Sequence, residues 1–271
     1  MYLMRKAYTL PTPSVFMSMS RYSAKFCLFV LLLVIPFAAN AVNIPDAALL
    51  QAIRDRLGKP AGEITEGDMA GLSTLQAIDK GITDLTGLEF ATSITELDLE
   101  GNVVGDLSPI SGLTTLTDLR LINCQVSDIS HLSALTNLVV LRLDENQVVN
   151  VTPLAGMTSL LDLDLQMNLI VDASPLTALT SLPGLGINDN QIADISFLTS
   201  MIGLGGVNLG GNPIADFSTL SSLTDYTGLG LSNTGISDLT IISTLTNLEI
   251  LFLSGNQITD LTPISGFTGI Q

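Results

Sequence analysis

Arg120 and Arg142 stand 22 residues apart in the triplets DLR and VLR. Acids gather around them at the same spacing: Glu96, Asp98, Glu100, Asp118, Asp144, Glu145, Asp162 and Asp164. A guanidinium presents paired donors in a plane that matches a carboxylate, so two chemistries are open. In one the charges satisfy each other as a ladder, Asp98 with Arg120 and Arg142 with Asp164, each exposed pair worth about 0–1 kcal/mol. In the other they form a polar site in which the arginines hold a ligand. Further along the same columns Gly184, Gly186, Gly206, Gly210, Gly228 and Gly230 replace the charges, and Ile250 and Phe252 close the row. Bare backbone there is expected to form a shallow strip that admits a bulky or flat partner, with Phe252 either an anchor or a shielded edge residue. The residues expected to touch a ligand are Asp98, Glu100, Asp118, Arg120, Arg142, Asp144, Asp164 and Phe252.

The same residues do not suggest catalysis. His131 is the sole histidine and falls at a turn position away from these acids, so no base and nucleophile are brought together. A pair of carboxylates acting as acid and base needs one of them raised by burial, which a sheet open to water is not expected to provide. No enzyme, cofactor or bound metal is therefore expected. A second acid column, Asp84, Asp106, Asp128, Asp172, Asp194, Asp216, Asp238 and Asp260 with Asn150 in line, suggests either a calcium ladder or carboxylates that bond the amides of their own turns. One acid per unit supplies too few of the roughly six to eight oxygens calcium takes, so the second reading is preferred.

All these columns belong to one repeat. Segments beginning at Leu97, Leu119, Leu141, Leu163, Leu185, Val207, Leu229 and Leu251 align at 22 residues without insertion or deletion, and Leu75 to Ala91 forms a degraded first copy. Each reads approximately L-x-L-x-x-N-x-[IV]-x-D-[IL]-[ST]-P-[LI], within the period range of leucine-rich repeats. The L-x-L triplet is a short strand with leucines inward and the intervening residue outward. Asn102, Asn146, Asn168, Asn190, Asn212 and Asn256 follow the strands and can satisfy buried backbone with both donors and an acceptor. Cys124, Thr234 and Lys80 share that column, so Cys124 reads as a buried, inert member of it. Ser or Thr before Pro109, Pro153, Pro175 and Pro263 predicts a hydroxyl-capped short helical turn, 3₁₀ in type, on the convex side.

Ahead of the repeats, NIPDAALLQAIRDRLGKP places Pro45 at a helix start, Leu49, Leu50, Ile53 and Leu57 on one face, and Gly58 at the stop. Thr65 and Asp68 have the spacing of a capping box opening a second helix. Before these, Arg21 and Lys25 precede an apolar run from Phe26 to Ala39 and the tripeptide Ala39-Asn40-Ala41, a signal peptide by its three parts, with cleavage after Ala41. Ten basic residues less the four in this leader leave six against 26 acids, a net charge of −20. No Lys or Arg follows Arg142, which speaks against nucleic acid and anionic lipid and for cationic partners or plain solubility. Cys124 is left without a partner, so stability must come from the repeat core and not from a disulfide.

A helical cap containing AIRDRLGKP and DMAGLSTL, followed by units reading LxLxxNxIxDLTPL, resembles the internalin-like leucine-rich-repeat proteins of bacteria over about residues 43 to 271. The resemblance implies secreted or surface-attached binding modules whose best-known members engage receptors on the concave face. The expected architecture is an α/β solenoid, a horseshoe or arc: signal peptide 1–41, helical N-terminal cap 42–71, and repeats 72–271 forming a parallel concave sheet of about nine strands. The expected function is a secreted non-catalytic module that binds a protein, or as second choice a glycan, on the concave sheet. A structural or calcium-dependent surface or matrix protein, or part of a larger adhesin, is the alternative. Ile270 opens a tenth unit, so Leu251, Leu253, Ile258, Leu261, Ile264 and Phe267 are expected to leave an open core face and strand edge available for self-association.

Overall fold

The computed structural model describes residues 40–270, so the leader expected over 1–41 lies, but for its last two residues, outside the described residues. Helix α1, Ala47–Leu57, turns Leu49, Ala52 and Ile53 inward and ends at Gly58, whose φ of 63° lets its amide turn back to the last carbonyls. The start differs by one step from expectation: Asp46, not Pro45, is the cap, its Oδ1 accepting from the amides of Ala48 and Leu49 at 2.9 Å. A carboxylate does this work and proline, with no side-chain acceptor, cannot. Helix α2, Glu66–Ala70, opens with the capping box of Thr65 and Asp68. Asp68 also takes the Lys59 ammonium, which with the Thr65 bonds holds its carboxyl down at about 2. The helices are tied to the repeats by polar contacts, Arg56 Nε donating to the Thr74 carbonyl at 2.9 Å and the Thr83 amide to Asp46 Oδ2 at 2.8 Å.

Nine strands of three residues follow in chain order: β1 Thr74–Gln76, β2 Glu96–Asp98, β3 Asp118–Arg120, β4 Val140–Arg142, β5 Asp162–Asp164, β6 Gly184–Gly186, β7 Gly206–Asn208, β8 Gly228–Gly230 and β9 Ile250–Phe252. Each pairs in parallel with the next to make one open sheet. The register advances 22 residues per strand, Leu97 opposite Leu119 and Leu119 opposite Leu141, because nothing interrupts the repeat. The inward residues of β1 to β8, leucine in each strand but β7, where it is Val207, are buried with the apolar residues of the turns behind them, each burial worth about 1.5–3 kcal/mol. In the last unit Leu251, Leu253, Ile258, Ile264 and Phe267 are half-buried, and Leu261 is 61% exposed.

The asparagine column works as a relay between units. Asn146 Nδ2 donates to the carbonyls of Leu121 and Leu143, and its Oδ1 accepts from the amides of Cys124 and Val126. Cys124 itself is buried with Sγ 3.1 Å from the Leu99 carbonyl, and burial pushes the thiol up to about 11. The residue before each column member is left-handed in every unit, from Asp79 at φ 53° to Gly255 at 73°. Where the column lacks asparagine, at Lys80, Cys124 and Thr234, the next residue is left-handed too: Gly81, Gln125 and Gly235. In each of those units the asparagine one unit on accepts the amide of the residue that replaced it.

The convex turns are 3₁₀, as at Ser108–Ile110, Thr152–Gly156 and Ser174–Ala178 with proline early in each. Their hydroxyl residues do not cap as expected. The acid column does: Asp106, Asp128, Asp172, Asp194, Asp216, Asp238 and Asp260 each accept the amide two residues on at 2.8 Å. The amide that needs an acceptor belongs to the Ser or Thr itself, which its own short side chain is badly placed to supply.

Candidate functional site

Three columns of side chains line the outward face of the sheet: the first and third residues of each strand, and the residue two places beyond. In β2 to β5 these positions carry charge except at Ile122, Val140 and Gln166. Sequence spacing puts Arg120 beside Asp98 in the register, but the guanidinium turns along its own strand and makes a two-point contact with Asp118, Nε to Oδ1 at 3.0 Å and Nη2 to Oδ2 at 2.9 Å. Asp98 is 4% exposed, and its Oδ1 accepts the Glu100 amide at 3.1 Å. Asp118 ranks first, ahead of the more distant Asp98 and Glu96, among the charges that hold the Arg120 proton more tightly. Arg142 bridges β4 to β5, with Nη2 2.6 Å from Asp162 and Nη1 3.1 Å from Asp164. The second expected pair therefore forms with an added partner, and the first is replaced.

Both arginines thus engage acids of the sheet itself, which favours the self-satisfied network over the reading in which they hold a ligand. The surplus is negative. Asp144, at the outward position two residues beyond Arg142, is 7% exposed and its Oδ1 has no donor within the protein. Burial, then the charge of Asp164, pushes its carboxyl above the usual range, with Arg142 opposing. An open sheet can therefore raise a carboxylate by burial, contrary to expectation. The cause is crowding by neighbouring side chains on a face where strands lie roughly 4.8 Å apart.

Polar contact continues past β5 through Asn208, a member of the middle outward column, and Asn188, which the spacing of the charged residues did not single out. Asn188 Nδ2 donates to Asp189 at 2.7 Å, and Asn208 Nδ2 donates to Asn188 Oδ1 at 3.0 Å. The available signal was the third column, where Gln166 and Asn188 stand 22 residues apart. Beyond them lies a trough of about 240 Å³ floored by Gly184, Gly206 and Gly228 and walled by Ile250 and Phe252. The strip is less bare than expected. A side chain at Gly186 would meet Asp164 Oδ1 at 2.9 Å, and one at Gly230 would run into Asn208 Oδ1, because those two polar groups lean across their glycine neighbours. Phe252 is 58% exposed and sits four strands from Asp164, about 19 Å at the usual strand spacing. Asp98, Asp118, Arg120, Arg142, Asp144 and Asp164 form one patch with Glu100 at its edge; Phe252 belongs to a separate feature.

His131 lies on its convex turn, Ser130–Leu132, remote from this patch. Among the described residues no cluster of His, Cys, Asp and Glu is suited to a metal ion, and no helix is long and apolar enough to cross a membrane. The convex acids hold amides, and none of them is needed as a charge for that: Asn150 accepts the Thr152 amide at 3.0 Å in the same way.

Residues 226–266 match the family model for leucine rich repeats in two copies. Internalin H of Listeria monocytogenes is 34% identical over 71 residues, 26% of this chain and 13% of that protein's length. The crystal structure of an internalin C2 from the same species is 32% identical, covers 83% of this chain and 91% of that one, and superposes with a TM-score of 0.62. The leucine-rich-repeat ectodomain of a plant membrane receptor kinase from Arabidopsis thaliana is 23% identical over 77% of this chain and 28% of its own, with a TM-score of 0.64, a likeness of fold alone. The asparagine relay, the uninterrupted register and a likeness that spans nine-tenths of internalin C2 together place this chain in the internalin-like leucine-rich-repeat family.

Proposed function

We propose that the chain is a secreted, non-catalytic binding module that recognises a protein ligand on its concave sheet. The observation that carries this reading is the content of the outward face. A scaffold needs only that its outward residues be soluble, whereas this face holds an ordered charge network on β2 to β5 and an apolar trough with a 58% exposed phenylalanine on β6 to β9. An aromatic group beside bare backbone and a partly desolvated polar cluster are the features that concentrate binding energy at interfaces. The leader read from the sequence supports export, with cleavage after Ala41 leaving the helices of the cap as the amino-terminal element. A glycan is a weaker candidate, since one aromatic group offers little stacking surface.

The reading is tested by crosslinking capture from the native medium with the exported protein and with a double variant, Arg120→Ala and Phe252→Ala. Circular dichroism first establishes that the variant keeps the wild-type fold. Partners held by the concave face should be lost together from the variant. If every partner is retained, recognition lies elsewhere and the proposal is wrong.

A further inference from the structure

The charge patch leaves one problem unsolved in the free protein. The outward positions of β2 to β5 and the residues just beyond them carry seven carboxylates against two guanidiniums, and both guanidiniums are committed to Asp118, Asp162 and Asp164. Glu96 accepts from Gln76 and Asp98 from the Glu100 amide. Asp144 has neither a cation nor a neutral donor on Oδ1, although it is more than nine-tenths buried. A carboxylate oxygen withdrawn from water without a donor is costly. The residue's own backbone amide and the charge of Arg142 offset that cost only in part, since Arg142 points its nitrogens at β5 and Asp164 and Glu145 add like charge.

We propose that the ligand of the concave face is a basic protein segment, and that a lysine or arginine side chain of that segment docks at Asp144. The inference rests on the concave-face reading above and names the chemistry of its partner. Charge complementarity selects the occupant: an acidic segment would meet a net excess of five negative charges and two arginines already engaged. A cation docked beside Asp144 offsets its uncompensated charge, so part of its binding energy is relief of a penalty present in the free state, which makes the position a centre of affinity and not a peripheral charge.

The test uses the peptide (Gly-Arg)4, its neutral citrulline analogue and (Gly-Glu)4 as probes, titrated into the isotope-labelled exported protein and followed by amide NMR. The arginine peptide should shift signals around residues 142–146 and 162–166 saturably, and the other two should not. Asp144→Asn should weaken it by about tenfold or more. Asp216→Asn, which removes the same charge from an exposed convex turn, should change it by less than about twofold. Equal weakening by the two substitutions would mean general attraction to an acidic protein and would overturn the inference, as would preferential binding of (Gly-Glu)4. The capture experiment separates this from the broader reading. A natural partner that is lost from the Arg120, Phe252 double variant but is indifferent to Asp144→Asn and to competing (Gly-Arg)4 leaves concave recognition standing and refutes the basic-segment assignment. Partners retained by the double variant refute concave recognition itself.

Discussion

Asp144 and Gln125 show how single positions can be held against their own preferences. Because burial and Asp164 raise the Asp144 carboxyl in the folded protein, its ionised form is the disfavoured one. The folded pKa lies above the unfolded value near 3.9, so the associated stability is present at low pH and is lost as pH rises through the folded pKa. Asp144→Asn should therefore match the wild type in urea denaturation near pH 3 and exceed it near pH 7; a variant less stable at neutral pH would show that the carboxylate is satisfied after all. Gln125 sits at φ 58°, where a β-carbon is strained, while the corresponding units place glycine. Gln125→Gly should raise stability by about 0.5–1 kcal/mol, read as a shift in the urea midpoint at constant slope. Neither feature could be read from the sequence. Spacing assigns a residue to a column, but which of several nearby acids an arginine engages is set by how its side chain lies: Arg120 turns along its own strand to Asp118, whereas Arg142 reaches across to Asp162 and Asp164, although Asp164 holds the Gln166 amide just as Asp98 holds that of Glu100.

Elements, by contrast, were legible almost throughout, because each position of the unit recurs several times and chance agreement is averaged away. The strands, the asparagine column and the 3₁₀ turns follow from alternation, amide chemistry and the hydroxyl-proline pairs. The acid column bonds the amides of its own turns as read, but the hydroxyl cap was misassigned because Asp and Ser can both cap, and only the geometry shows which one faces the free amide. The column yields a direct prediction. Asn190 donates to the carbonyls of Leu165 and Ile187 and accepts from the Ile170 amide, all in the core. Asn190→Ala should cost about 2–3 kcal/mol by leaving those groups unpaired. Asn137→Ala, which removes one exposed bond to the Thr114 carbonyl, should cost about 0.5–1 kcal/mol. Chemical denaturation of the two variants compares them, and equal losses would mean that the column is not specially important.

At the scale of the whole molecule each unit touches only its neighbours, so stability is close to a sum of unit and interface terms. Hydrogen exchange should then show the Asn190→Ala lesion concentrated in the units around residues 165–190, fading within one unit on either side; uniform loss along the chain would refute this. The convex acids point outward in another sense. Eight aspartates and Asn150 make the same bond to the amide two residues on, so the bond does not require a charge, yet eight positions in nine carry one. Changing all eight to Asn would take the net charge of residues 42–271 from −20 to −12 and is expected to leave the strand order intact. What should change is the behaviour of a crowd of these molecules. At low salt the osmotic second virial coefficient, positive for the wild type because neighbouring particles repel over a Debye length of about 10 Å or more, should fall sharply in the octuple variant. The convex row of carboxylates makes each molecule a colloidal particle that keeps its distance from its own kind.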